Sequence, residues 1–243
     1  MNKPEFIDDD PVRFPHLFSD LRDIEITSLL VSNIAWGNRK MILRSAESML
    51  ALMDNQPYNY MMDGGYEELP DNVNIHRTFF AKNLKYFLKG LHSVYETYGT
   101  LQDFVEKINA KSCETPAWYI ANELNKAFFD ANNGKTDNRC LPINTTTSAL
   151  KRFNMALRWL VRNDGIVDMG VWECLKPSQL YIPLDVHVGD VSRQLGLLTR
   201  KSNDRKAVEE LTDTLRMIRP EDPIYFDFAL FGIGVSGKKH DLS

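Results

Sequence analysis

The sequence predicts an all-α protein, and three observations carry that expectation. Apolar residues recur at three- and four-residue steps through most of the 243 residues, the spacing that lines one face of a helix. Gly99, Gly196 and Pro220 fall where such runs stop, as helix ends require. Only a few short stretches alternate in the strand manner, and no two of them flank a tight hairpin turn.

Taken in order, 23–52 begins with a capping aspartate, Asp23, and carries Ile26, Leu29, Leu30 and Ile34, then Met41, Leu43 and Leu50. The pattern breaks at Trp36-Gly37-Asn38, so two helices joined by a turn are expected. Residues 55–74 hold Pro57, Gly64, Gly65 and Pro70 among asparagines and aspartates, which reads as a long loop without core residues of its own. Phe79, Phe80, Leu84, Phe87, Leu88, Leu91 and Val94 predict a helix over 78–98. Two more follow at 100–108 and 118–129, before a polar, turn-rich stretch at 130–142.

Residues 148–161 place Phe153, Leu157, Leu160 and Val161 on one helical face and Lys151, Met155, Arg158 and Arg162 on another, an amphipathic helix with a basic stripe. Loop is expected from Gly165 to Pro183. Val188, Val191 and Leu195 then mark a short helix ending at Gly196, with Asp185 or His187 at its start. Val208, Leu211, Leu215 and Ile218 predict a helix over 204–218, and a last apolar segment runs from Ile224 to Ile233.

Composition excludes several classes. With 43% hydrophobic and 26% charged residues the chain is neither fibrous nor disordered. No apolar run approaches the roughly 20 residues needed to span a bilayer, and the start lacks a signal pattern, so no membrane partner and a cytoplasmic location are expected. The three cysteines, Cys113, Cys140 and Cys174, lack CxxC spacing, which argues against a disulfide framework or a cysteine-built metal site and for buried thiols. The histidines at 16, 76, 92, 187 and 240 show no metal-ligand spacing. The net charge of −4 counts against a uniformly basic nucleic-acid binder, so charge has to be read locally.

One segment carries a motif. Ile182-Pro183-Leu184-Asp185-Val186-His187-Val188, followed by Arg193-Gln194-Leu195-Gly196-Leu197, resembles the proline, hydrophobic, aspartate, X, histidine, valine motif of the helix-hairpin-helix DNA glycosylase superfamily. The runs 151–162 and 222–232, with Asp23-Ile24-Glu25-Ile26, are similar to an uncharacterised bacterial family of DNA glycosylases, a likeness extending from Asp10 to Gly234. The resemblance implies a single glycosylase-like domain over 1–243. Two helical subdomains would flank a cleft, 23–130 (with the N- and C-terminal segments packed together) and 131–218. It implies base-excision chemistry on damaged duplex DNA, oxidised purines being one lesion class, with Asp185 as the catalytic carboxylate. Superfamily members with lyase activity carry a lysine after the hairpin, and Lys151 is the nearest candidate, displaced as in the archaeal 8-oxoguanine branch. Two features depart from the superfamily. The glycine-bearing hairpin is replaced by Leu141-Pro142-Ile143-Asn144-Thr145-Thr146-Thr147, and the four-cysteine loop is absent, so no iron–sulfur cluster and no other cofactor is expected.

A carboxylate beside the anomeric carbon stabilises the positive charge that develops as a base leaves deoxyribose, and it can orient water or free a lysine amine for attack. Both routes stay open on the residues alone. A base taken out of the stack needs planar partners, for which Trp36, Trp159, Trp172 and Phe228 are available. Phosphates would meet backbone N–H groups near 145–148 and 186–188, helped by Thr145, Thr147, Ser148, Lys151, Arg152, His187 and Arg193. Each has a plainer reading: Asp185 as a helix N-cap, the basic stripe as a solvated face, His187 as a structural polar residue, the tryptophans as core, and 238–241 as an exposed tail. The competing function is a non-catalytic DNA-binding or protein-interaction module that retains the fold.

Overall fold

Helix boundaries in this chain follow local capping chemistry more closely than they follow the apolar pattern. The computed structural model describes residues 3–237, in the order α1 (Pro4–Asp8), α2 (Leu21–Ile34), α3 (Arg39–Leu52), α4 (Pro57–Met62), β1 (Asn74–His76), β2 (Phe79–Phe80), α5 (Ala81–Tyr98), α6 (Leu101–Lys107), α7 (Pro116–Ala131), α8 (Lys151–Val161), α9 (Val186–Gln194), α10 (Arg205–Ile218) and α11 (Asp227–Gly237). The class is all-α. The 238–241 segment lies outside the described residues.

Helix α2 is capped three residues before the expected position, because Asp20 accepts a hydrogen bond from Arg22 N at 2.8 Å. Asp23, the expected cap, instead accepts from Tyr58 N at 2.8 Å and so ties α4 to α2. The turn at Trp36–Asn38 is present, and Asn38 caps α3 by accepting from Met41 N.

The 55–74 stretch corrects the expectation of a coreless loop. It contains α4 and a 3-10 turn at Gly65–Glu68, and Pro57, Met61 and Tyr66 are buried. Six residues are too few to show helical periodicity, and Pro57 at the first helical position reads equally as a turn. A small antiparallel hairpin, β1–β2, pairs Asn74 with Phe80 and His76 with Phe79, also against expectation. Arg77 makes its turn at a φ of 51°, a left-handed position where the sequence shows no glycine or asparagine to announce it.

Helix α2 lies at the centre, with every residue from Ile24 to Ile34 buried. It packs on α8, α5 packs on α7, and α9 on α11. One main core joins these layers. A satellite core of Val12, Trp159 and Val167, flanked by Phe6, Met155 and Phe228, brings the N-terminal segment onto α8 and α11. Gly234 permits the α9–α11 approach, because a Cβ there would lie 2.8 Å from His187 Cβ.

The helix expected from Ser148 starts at Lys151. Leu150 precedes it at φ 48°, ψ 32° with its side chain buried, a left-handed conformation worth roughly 1–2 kcal/mol of strain for a non-glycine residue. Burial of the leucine in the core holds it there, and the chain turns sharply into α8 with Lys151 at the first position.

The basic stripe of α8 is neither solvated nor available to a partner along its second half. Arg158 Nε donates to Asp168 Oδ2 at 3.0 Å and Nη1 donates to Asp227 Oδ2. Arg162 Nε donates to Asp222 at 2.9 Å, and its Nη1 to Asp164 at 2.7 Å and Asp168 at 2.8 Å. The four aspartates come from the loop after α8 and from the segment leading into α11, so the network binds the C-terminal segment to α8. Helical position alone cannot reveal this, since the partners are distant in sequence.

A second buried hub is Glu25. Its Oε1 accepts from Trp172 Nε1 at 2.7 Å and Gln102 N at 2.9 Å, and its Oε2 from Tyr95 Oη at 2.8 Å and Leu101 N at 3.0 Å. The carboxylate thereby caps α6 from within α2. Burial pushes the Glu25 pKa up against these bonds. Its folded value then exceeds the unfolded one, so its contribution is fully present below the unfolded pKa and lost as pH rises through the folded value. Glu25→Gln is expected to leave the Leu101 N–H facing an amide donor, lowering stability by about 1–3 kcal/mol. It should also flatten the pH dependence of the urea midpoint on the acid side of neutrality. An unchanged midpoint and an unchanged pH profile would overturn this assignment.

Candidate active site

Asp185 and Lys151 sit 34 positions apart in the chain and arrive at one place through two helix starts. Asp185 is the N-cap of α9, its Oδ1 accepting from Val188 N at 2.8 Å. That leaves Oδ2 directed at Lys151, with Nζ at 3.7 Å. Both side chains stay in contact with solvent, at 38% exposure for the lysine and 15% for the aspartate. Asn203 Nδ2 donates to Asp185 O at 3.3 Å and steadies the α9 start.

The pair lies on the wall of a cavity of about 1090 Å³, a volume that suits a ligand of nucleotide size or larger. Beside the buried Arg158–Asp227 pair, four cationic side chains line it, Arg39, Arg139, Lys151 and Arg152, against two carboxylates, Asp10 and Asp185. The cavity is therefore locally positive in a chain of net charge −4, which favours an anionic partner.

Of the residues singled out from the sequence, Asp185, Lys151, Thr147, Ser148, Arg152, His187, Trp36, Trp159 and Phe228 all line this cavity. Trp36 is half-buried with the Arg77 guanidinium 4.6 Å from its ring centroid and the His76 ring edge-on at 5.3 Å. Phe228 is flanked by Arg158 at 3.7 Å and by Phe6 at 5.0 Å. Trp159 is 4% exposed and belongs mainly to the satellite core. His187 packs its ring edge-on to Phe231, 6.0 Å between centroids.

Three of the named residues are elsewhere. Trp172 is buried away from the cavity, its indole spent on Glu25. Thr145 is buried with its hydroxyl on Asn122 Oδ1. Arg193 spends its guanidinium on Arg200 O at 2.8 Å and on Asn203 Oδ1. The helix start anticipated at 145–148 does not form. Asn144 Oδ1 accepts from Thr146 N at 3.1 Å and Thr147 N at 3.4 Å, which closes an Asx turn and occupies the N–H groups that a phosphate would meet.

Sequence reasoning missed Asp10, Arg39 and Asp227. Asp10 Oδ1 accepts from Val12 N at 3.1 Å and Oδ2 lies 3.7 Å from Arg39 Nη2. Burial raises the Asp10 pKa, with Arg39, Arg158 and Lys151 opposing. Asp10-Pro11 reads as a turn or cap in sequence, and nothing local says that the N-terminal segment folds over α8. Asp227 is buried and its pKa raised by desolvation, opposed by Arg158.

Among the described residues no set of three or more histidine, cysteine, aspartate or glutamate side chains is arranged to hold a metal ion, and no helix is long and apolar enough to cross a membrane. Cys140 and Cys174 are buried free thiols, while Cys113 is only half-buried, short of the burial expected for it. Burial pushes the Cys174 thiol up to about 12.

No curated protein and no solved structure matches the chain. Residues 10–236 match the family described as protein of unknown function (DUF2400), and over nearly its whole length the chain belongs to that family.

Proposed function

We propose that this protein is a base-excision DNA glycosylase with lyase activity, of the helix-hairpin-helix type, in which Lys151 is the nucleophile and Asp185 its base. The observation that carries the reading is the 3.7 Å approach of Lys151 Nζ to Asp185 Oδ2 on the wall of a large, locally positive cavity with aromatic walls. The pair uses the aspartate that the motif at 182–188 singles out.

In this reading a damaged base leaves the stack and enters the cavity. Asp185 accepts a proton from the Lys151 ammonium, and the freed lone pair forms a bond from Nζ to C1′. The C1′–N glycosidic bond breaks with its electron pair on the departing base, which takes up a proton. The positive charge that develops on the sugar in between faces the Asp185 carboxylate. The sugar ring then opens at O4′, which takes up one of the two protons left on Nζ, and the C1′=N iminium that results keeps the other. Trp36 and Phe228 offer planar surfaces for the base, and Arg39 and Arg139, both exposed at the cavity, can meet phosphates.

Borohydride trapping on duplexes with a panel of lesions tests this directly. A covalent adduct on at least one lesion, lost in Lys151→Gln, is the expected result. An adduct that survives Lys151→Gln removes the lysine assignment. Absence of both adduct and abasic product across the panel removes the enzymatic reading and favours a binding module.

A further inference from the structure

Arg152 and Arg158 on α8 and Arg162 just past its end are not equivalent. Arg158 and Arg162 are each held by two or three aspartates. Arg152, one and a half turns before Arg158, donates from Nη1 to the backbone carbonyl of Asn33, and among the described residues no carboxylate pairs with it. The side chain is only partly exposed, and the groups beside it are buried. Asn33 is 5% exposed and the neighbouring Cys140 thiol 1%, and desolvation lowers the Arg152 pKa with only the Cys140 sulfur in opposition. A guanidinium has five N–H donors in a planar fork, and a cation that is partly desolvated without a countercharge gains from a ligand acceptor. Because Arg152 lines the cavity, its unused donors are accessible to a ligand there.

The position of this arginine decides which ligand group meets it. Arg39 and Arg139 are exposed at the rim, where a phosphate can stay in water. Arg152 is less exposed than either, and its Nη1 is held on the carbonyl of the buried Asn33. A backbone phosphate would have to be stripped of solvent to reach it, whereas a base turned out of the helix would arrive there first. We infer that Arg152 is a specificity-determining residue that donates to a carbonyl oxygen of the extruded base, so that the substrate class is bases bearing a ring carbonyl. This rests on the glycosylase reading for the identity of the ligand. Arg–carbonyl recognition of a base edge is a strong discriminating contact, and an incorrect base without that oxygen leaves the partly buried guanidinium unanswered.

The test is equilibrium binding over a salt series, in an Asp185→Asn background so that duplexes stay intact. The duplexes carry hypoxanthine, 8-oxoguanine, ethenoadenine (no ring carbonyl) or a tetrahydrofuran abasic analogue. The expected result is a preference of about tenfold or more for at least one carbonyl-bearing lesion over ethenoadenine and the abasic analogue. Arg152→Met should abolish this preference, with the abasic affinity and the salt slope unchanged. Arg152→Lys, which keeps the charge and a donor without the fork, should retain part of the preference, and it carries the test if the methionine variant does not fold. A drop of about one in the salt slope with equal weakening of every duplex would mean a phosphate contact and overturn the inference. So would a preference that persists in a folded Arg152→Met, or a parent that shows no preference. If, with Asp185 intact, the protein releases bases and Arg152→Met releases the same ones, this inference falls and the glycosylase reading stands. If discrimination depends on Arg152 but no base is released, the inference stands and the excision chemistry falls.

Discussion

Arg158→Met is expected to lower the stability of the folded chain by about 3–5 kcal/mol, the range for removing one partner of a buried ion pair. Burial by itself would lower the Arg158 pKa, and Asp168 and Asp227 reverse that, so the guanidinium stays charged. Without it both carboxylates, already held above the ordinary aspartate range by desolvation, remain buried with less to answer them. Arg162 still reaches Asp168 at 2.8 Å but does not replace the Asp227 contact. The sign of the pH effect follows. In the variant the folded pKa values of Asp168 and Asp227 rise further above their unfolded values. The deficit is therefore largest at pH 7 and shrinks as pH falls toward about 4 and the carboxyls take up protons. Urea unfolding of both proteins between pH 4 and 7 measures this. A deficit below about 1 kcal/mol, or one that grows on acidification, would show that water compensates the pair. Asp227 starts α11 and Phe228 stacks on the same guanidinium, so proteolysis within 220–237 should accelerate in parallel.

On the proposed excision chemistry, Asp185→Asn is expected to reduce the single-turnover rate by about 10²–10⁴, the span associated with loss of a catalytic base or of a preorganised charge, while leaving stability nearly unchanged. Asparagine caps a helix about as well as aspartate, so the bond to Val188 N survives and the carboxylate charge is what disappears. Asp185→Ala removes both and should cost about 1 kcal/mol of stability as well. Thermal unfolding of the two variants, run beside the kinetics, separates the cap from the chemistry. A rate within threefold of the parent in a well-folded Asp185→Asn would leave Asp185 as a cap alone.

The pattern of success in reading the helices has a physical cause. Helices α5, α7, α8 and α10 bury a stripe against the core, and a stripe at three- and four-residue steps is visible in any one of them. Gly99 ends α5 at a φ of 84°, and a residue that tolerates that angle is legible as a stop. Helix α4 and the β1–β2 hairpin were not legible. Their six- and few-residue spans carry no period, and Arg77 turns the hairpin in a conformation that its residue type does not advertise.

The candidate site shows the same division. Asp185 stood out because the motif that resembles the glycosylase superfamily falls within seven residues, 182–188, whereas the local pattern alone left Asp185 or His187 at a helix start. Lys151 was reachable only by resemblance, since nothing in 151–162 distinguishes it from Arg158 and Arg162 further along the stripe. Trp172 illustrates the converse. A tryptophan is planar wherever it lies, but whether its ring faces a cavity or its indole N–H meets a buried Glu25 is settled by a contact with a residue 147 positions away.

By itself, then, the amino-acid order determined the helical class, the positions of the longer helices and the helix-start aspartate, because periodicity, capping and chain stops act over a few residues. Only the tertiary structure decided which charges of α8 are spent and which face the cavity, that Asp10 from the N-terminal segment joins them, and that Lys151 comes within 3.7 Å of Asp185. Those outcomes depend on pairings between distant segments, and the free energy of a desolvated charge is set by whichever partner the fold brings to it.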